Sequence, residues 1–154
     1  MKTGVKVSDA MTHSPIVIRS GTTLRECAKV MEANHVGALI VRDGKHVDGI
    51  LTEQDIVRKA VAKGRHTDDT AAKEIMEMKV ITVGPGRDIY DALVIMRDHN
   101  IRHLPVVDGE DMIGLLTIKD VLKIQPDLFD ILVEKFELRE EERKPVFGEW
   151  PEKG

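Results

Sequence analysis

Residues 49–55 read GILTEQD and residues 114–120 read GLLTIKD, two copies of the skeleton Gly-x-Leu-Thr-x-x-Asp. Sliding the chain over itself by the same interval aligns Asp9 to Arg58 with Glu74 to Lys123 without a gap. Met11 meets Met76, Ile16 meets Ile81, Gly21 meets Gly86 and Met31 meets Met96. Leu39 meets Leu104, Val41 meets Val106, and Asp43-Gly44 meets Asp108-Gly109. One register that preserves both apolar positions and turn residues identifies a duplicated unit.

Each copy has the same local grammar. PIVI (15–18) and VITV (80–83) are short runs rich in β-branched residues, which predicts strands. Leu24, Cys27, Ala28 and Met31 follow at helical spacing, as do Ile89, Ala92, Leu93 and Met96. Thr23 with Glu26, and Asp88 with Asp91, have the spacing of capping boxes at the two helix starts. Two further apolar runs flank Asp43-Gly44, and two more flank Asp108-Gly109, which predicts a hairpin in each copy. A second helix is expected from Thr52 (TEQDIVRKAVAK) and from Thr117 (TIKDVLKI). The order is strand, helix, strand, strand, helix, twice over, so the fold class is α+β. A unit of roughly 55 residues is marginal alone, and two packed copies would share a core about a pseudo-twofold axis.

Composition narrows the function. The chain has 154 residues, of which 42% are hydrophobic and 32% charged, enough for a core and a polar surface. Aromatic residues are 3% and the formal net charge is -4, which argues against stacked single-stranded nucleic acid and against nucleic acid or anionic membrane as partner. Cys27 is the single cysteine, so neither an internal disulfide nor a thiolate zinc site can form. The opening MKTGVKVSDAM has no signal-peptide apolar run, and no stretch approaches the ~20 apolar residues of a membrane span. A cytoplasmic location is expected.

The repeated motif supports two readings. Thr at an N-cap with an acidic residue three positions on satisfies free backbone N–H groups. Thr52 with Asp55 and Thr117 with Asp120 fit that role. The same helix start offers donors to a phosphate, and its carboxylate can accept both hydroxyls of a ribose. Gly49 and Gly114 would then let backbone approach a ligand closely.

The two motifs in register, together with IRHLPVVDGEDMIGLLTIKDVL (101–122), resemble a tandem pair of CBS domains, also called a Bateman module. The resemblance covers residues 5–124 and divides the chain into a first CBS repeat at 5–63, a linker at 64–72, a second repeat at 73–124 and a C-terminal helix and tail at 125–154. It implies adenosine-containing ligands in clefts between the repeats: AMP, ADP, ATP, S-adenosylmethionine or NAD. It implies that Asp55 and Asp120 take ribose hydroxyls, with Thr52 and Thr117 beside them. Adenine would lie on the first strand of each repeat, at Pro15, Ile16 and Val17 and at Val80, Ile81 and Thr82. Phosphate contacts fall to Arg102 and His103, whose counterparts are Gly37 and Ala38, and to Lys119, whose counterpart is Gln54. Arg58, next to Lys59 on the helix after the first motif, belongs to a solvated face by default and is a lesser candidate for phosphate. Because family ligands often cross between repeats, the Asp55 site is expected to favour phosphorylated ligands.

The remaining features point to regulation. His99 and His103 are four apart but fall at a helix end and a strand start, so no metal site is expected. No nucleophile elbow, phosphate loop or zinc-protease motif occurs, and no catalysis is expected. The stretch from Leu128 to Phe136 is apolar on more than one helix stripe. One flank would pack on its own module and the other on a second chain, giving a homodimer with four repeats in a disc. The lone Trp150 either anchors the tail or lies in a loose segment. The expected role is a regulatory module acting on an unknown partner protein; a structural or assembly protein with empty clefts is the alternative.

Overall fold

The computed structural model describes residues 2–133. Phe136 and Trp150 lie outside the described residues. In the first repeat, β1 (Val17–Ile18) runs parallel to β2 (Ala38–Val41), and β2 pairs antiparallel with β3 (Gly49–Thr52). Helix α2 (Leu24–Asn34) joins β1 to β2. Its N-cap Thr23 accepts the Glu26 N–H at 3.3 Å, and Leu24, Cys27 and Met31 fill the core beneath it. Ala28 lies outside that core, on an exposed face.

The second repeat is built from α4 (Ile89–His99), β4 (His103–Asp108), β5 (Asp111–Thr117) and α5 (Ile118–Ile124). All four expected positions of α4, Ile89, Ala92, Leu93 and Met96, are buried. The helices α2 and α4 end alike, on His35 and Asn100, each in the left-handed region at φ 53°. Both residues turn the chain toward the next strand, and each donates its N–H to the carbonyl three residues back.

Four local expectations need correction. VITV forms no strand; Val83 alone bridges to Val106, although its N–H and C=O both bond to the β4 backbone. Asp88 caps α4 through the Tyr90 N–H at 2.9 Å, not in a box with Asp91, and its carboxylate also holds Thr3 and Gly4. The tight hairpin occurs in the second copy, where Gly109 (φ 62°) and Glu110 link Asp108 to Asp111. In the first copy pairing stops at Val41 and Gly49, since the Asp43 carboxylate is occupied by the N–H and hydroxyl of Ser20. Lastly, the helix after Thr52 is α-helical only at α3 (Glu53–Asp55) and continues as a π-helical turn, Ile56–Val61. Ala62 donates to the Val57 carbonyl five residues back at 2.9 Å.

The leading segment of each copy packs on the other copy. Val7, which opens α1 (Val7–Ala10), and Met11 join the core of the second repeat. Ala72 and Ile75, from the junction of the linker with the second copy, join the core of the first. The hydrogen bonds repeat the exchange: Ile89 N–H donates to Val5 C=O at 3.0 Å and Leu24 N–H to Thr70 C=O at 2.9 Å. The polar 64–72 stretch is therefore fastened to the start of α2, with Thr70 buried and its hydroxyl bonded to the His66 carbonyl. A third cluster, Ala38, Ile40, Ile50 and Leu115, joins the inner strands of the two repeats. After α5, a 3₁₀ turn at Pro126–Leu128 leads into helix at 129–133, where Leu128 and Leu132 enter the second core and Phe129 faces outward. Among the described residues no helix is long and apolar enough to cross a membrane.

Candidate functional site

Both motifs begin with Thr in extended backbone, at φ −110° for Thr52 and −113° for Thr117. Asp55 N–H donates to Thr52 Oγ1 at 3.2 Å, and Thr52 N–H donates to Asp55 Oδ2 at 3.0 Å. The second copy repeats this at 3.1 and 3.0 Å between Asp120 and Thr117. The capping role read from the spacing is therefore real in both copies, and it engages one oxygen of each carboxylate.

The other oxygen distinguishes the copies. Asp55 Oδ1 pairs with Lys59 Nζ at 3.1 Å, and the same ammonium donates to the Ile75 carbonyl at 3.1 Å. By the repeat, the counterpart of Lys59 is Ile124. Among the described residues, no hydrogen bond or ion pair reaches Asp120 Oδ1.

Residues before the inner strands lie against the motifs. Across the first hairpin Ala38 pairs with Thr52, and across the second His103 pairs with Thr117. Glu53 N–H donates to the Gly37 carbonyl at 2.9 Å, and Ile118 N–H to that of Arg102 at 3.1 Å. His103 is mostly buried, and burial holds its imidazole below the ordinary histidine range. The neighbouring Arg102 charge adds to that depression, while Glu53 from the first repeat and Asp120 from its own oppose it. Strand pairing sets His103 opposite Thr117, the cap partner of Asp120.

Two clefts lie nearby. One, of about 630 Å³, brings Gly37 and Lys119 together with Glu53, Ile56 and the side of α2 that carries Met31, Glu32 and the exposed Ala28. The Glu53 carboxylate folds over Gly37, where an added Cβ would stand 3.0 Å from its Oε1. The other, of about 370 Å³, takes in Val80 and Thr82 with Val47, Val107 and Met112, and has His46 and Glu110 on its lining. Neither cleft takes in Asp55 or Asp120. Pro15 and Ile16 are half-buried beside β2, Ile81 is half-buried, and Val17, Arg58 and Arg102 are exposed.

The motif glycines serve packing. A Cβ on Gly114 would lie 2.5 Å from Met11 Sδ and 2.8 Å from the Thr12 carbonyl. One on Gly49 would lie 2.7 Å from Met76 Sδ and 2.9 Å from the Glu77 carbonyl. The backbone that approaches these glycines belongs to the exchanged segments, through the bridges Thr12–Leu115 and Ile50–Glu77. Sequence reasoning missed the pairing of Lys59, although its spacing of four from Asp55 was the available signal. Glu53 was missed because its partners come from another strand and the other repeat. His99 ends α4 and His103 starts β4, and no group of three or more potential metal ligands occurs among the described residues.

A CBS-domain family model matches residues 7–62 and 72–127. The CBS domain-containing protein YhcV of Bacillus subtilis is 31% identical over 115 residues, 75% of this chain and 81% of its own length. The CBS domain protein PAE2072 of Pyrobaculum aerophilum, solved in complex with AMP, is 30% identical with a TM-score of 0.72, covering 84% of this chain and 99% of that one. The CBS domain pair of protein MJ0100, solved with 5′-methylthioadenosine and S-adenosyl-L-methionine, is 27% identical with a TM-score of 0.70, covering 78% and 98%. None of the three bears an enzyme's name.

Proposed function

The chain belongs to the CBS-domain family as a tandem pair of repeats, and from that premise we propose that it is a regulatory module which binds an adenosine-containing ligand between them. The carrying observation is Asp120. Its Oδ2 is used in the cap, its Oδ1 is open among the described residues, and His103 stands beside it. A ribose diol donates two hydrogen bonds, and a carboxylate retains the lone pairs to accept them. The AMP complex of PAE2072 and the methylthioadenosine and S-adenosylmethionine complex of MJ0100 support this ligand class.

The Asp120 site is the better one in this reading. That reverses the preference for Asp55 drawn from the sequence, because Asp55 already holds an ammonium. Half-buried Pro15, Ile16, Val80 and Ile81 offer apolar and backbone surface for adenine. Lys119 supplies positive charge, while the Glu53 carboxylate in the same cleft weighs against long polyphosphates. Ligand acts by its differential affinity for alternative arrangements of repeats or protomers, and the regulated target is another protein. We place the module in the cytoplasm as a non-catalytic homodimer; Cys27, buried and with its thiol pushed up to about 11, has no redox role in this scheme.

Thermal melting with AMP, ADP, ATP, NADH and S-adenosylmethionine tests the reading. A ligand at a hundred times its Kd stabilises by about 2.7 kcal/mol. At least one compound is expected to raise Tm progressively, and Asp120→Asn, whose amide oxygen can keep the cap, is expected to shrink the rise and move it to higher ligand concentration. The reciprocal caps favour one rival, a purely architectural pair. That rival predicts no shift with any compound.

A further inference from the structure

We propose that Lys59 is an internal competitor for the ligand at Asp55, leaving the two repeats with one open and one obstructed carboxylate. The inference rests on the adenosine reading of the motifs and adds to it which half of the molecule is self-blocked. Asp55 accepts the Thr52 N–H on Oδ2 and the Lys59 ammonium on Oδ1. Its side chain is only 16% exposed, so there is little room to turn away and keep both bonds. A ribose diol arriving there replaces a charge-assisted contact with neutral hydroxyls, which are weaker partners.

The ammonium is held from a second side. Lys59 Nζ donates to the Ile75 carbonyl, in the exchanged segment that closes the first repeat's core. Removing Lys59 from Asp55 therefore also releases a bond to the segment leading toward Val80. The π-helical turn Ile56–Val61 carries Lys59 at this place. In the second copy the equivalent position is Ile124 on regular α5, which brings no charge to Asp120. Sequence and geometry differ between the halves at the same point, and among the described residues both differences leave Asp120 open.

Lys59 is 43% exposed, so solvent weakens the pair and the obstruction is partial. The effect is expected as a several-fold change in affinity.

Calorimetry with 5′-methylthioadenosine, which carries the diol but no phosphate, tests this on the full chain. Wild type is expected to show one tighter and one weaker class of site. Asp120→Asn should leave the weaker class alone, and adding Lys59→Ile, the residue of the other repeat, should tighten it about 2- to 5-fold. Lys59→Gln, neutral but polar, should act in the same direction. Unchanged or weaker binding in both double variants overturns the inference while tight binding to Asp120 in the wild type stands. Absence of binding to wild type and all variants removes the ribose reading and the inference together.

Discussion

At the scale of single residues, the site is decided by what surrounds each charged atom. Asp55 and Asp120 occupy equivalent positions and make equivalent caps, yet among the described residues one meets a lysine and the other does not. The Thr-x-x-Asp cap was legible in the sequence because its bonds span three residues. Glu53 beside His103 was not, because strand pairing and the repeat interface bring them together. His103 has a measurable consequence. Burial lowers its folded pKa below 6.5, its ordinary value, so the unfolded state binds protons more readily. Stability from this residue is fully present above about pH 6.5 and is lost as pH falls through that value toward the folded pKa. Urea unfolding across this window should show the decline in wild type and a shallower one in His103→Gln. A slope identical in both would show that the histidine is not buried in its neutral form.

At the scale of elements, the helices follow their sequence signals and the strands follow their neighbours. Helices α2 and α4 carry their apolar residues at local spacing, so their buried faces were readable, apart from Ala28. VITV has strand composition but reaches β4 at Val83 alone, since a strand needs a partner over its length. The caps at His35 and Asn100 share φ 53°, a region that glycine enters freely and that costs other residues roughly 1–2 kcal/mol. Asparagine and histidine are among the side chains better tolerated there, yet glycine enters without steric cost. Replacing His35 by Gly should therefore raise stability by about 1 kcal/mol in chemical denaturation, with α2 ending at the same place. Loss of stability would mean that the imidazole makes a compensating contact.

At the scale of the whole molecule, exchanged leading segments bind the repeats into one body. Val7 and Met11 serve the second core, and Ala72 and Ile75 the first, so neither half is complete from its own contiguous residues. The outer face retains apolar groups: Val57 and Val61 on the π-helical turn are 59% and 61% exposed, and Phe129 is 55% exposed. Burying such groups against a second chain is the physical motive for the proposed homodimer. Sedimentation should give twice the 17.2 kDa chain mass, and Val57→Asp with Val61→Asp should shift the species toward monomer without loss of helical signal. A wild-type monomer at high micromolar concentration would refute the dimer.

The sequence by itself determined the duplication, the helix faces, the two caps and the family, because these rest on spacings of a few residues or on one constant offset. Only the tertiary structure decided that Met11 and Met76 fill the space beside the motif glycines, that leading segments change places, and that Lys59 engages Asp55 while Asp120, among the described residues, keeps an open oxygen. The physical reason is one of range. A cap closes within a single turn of chain, whereas the company a carboxylate keeps depends on side-chain placement and on segments brought from elsewhere by the fold.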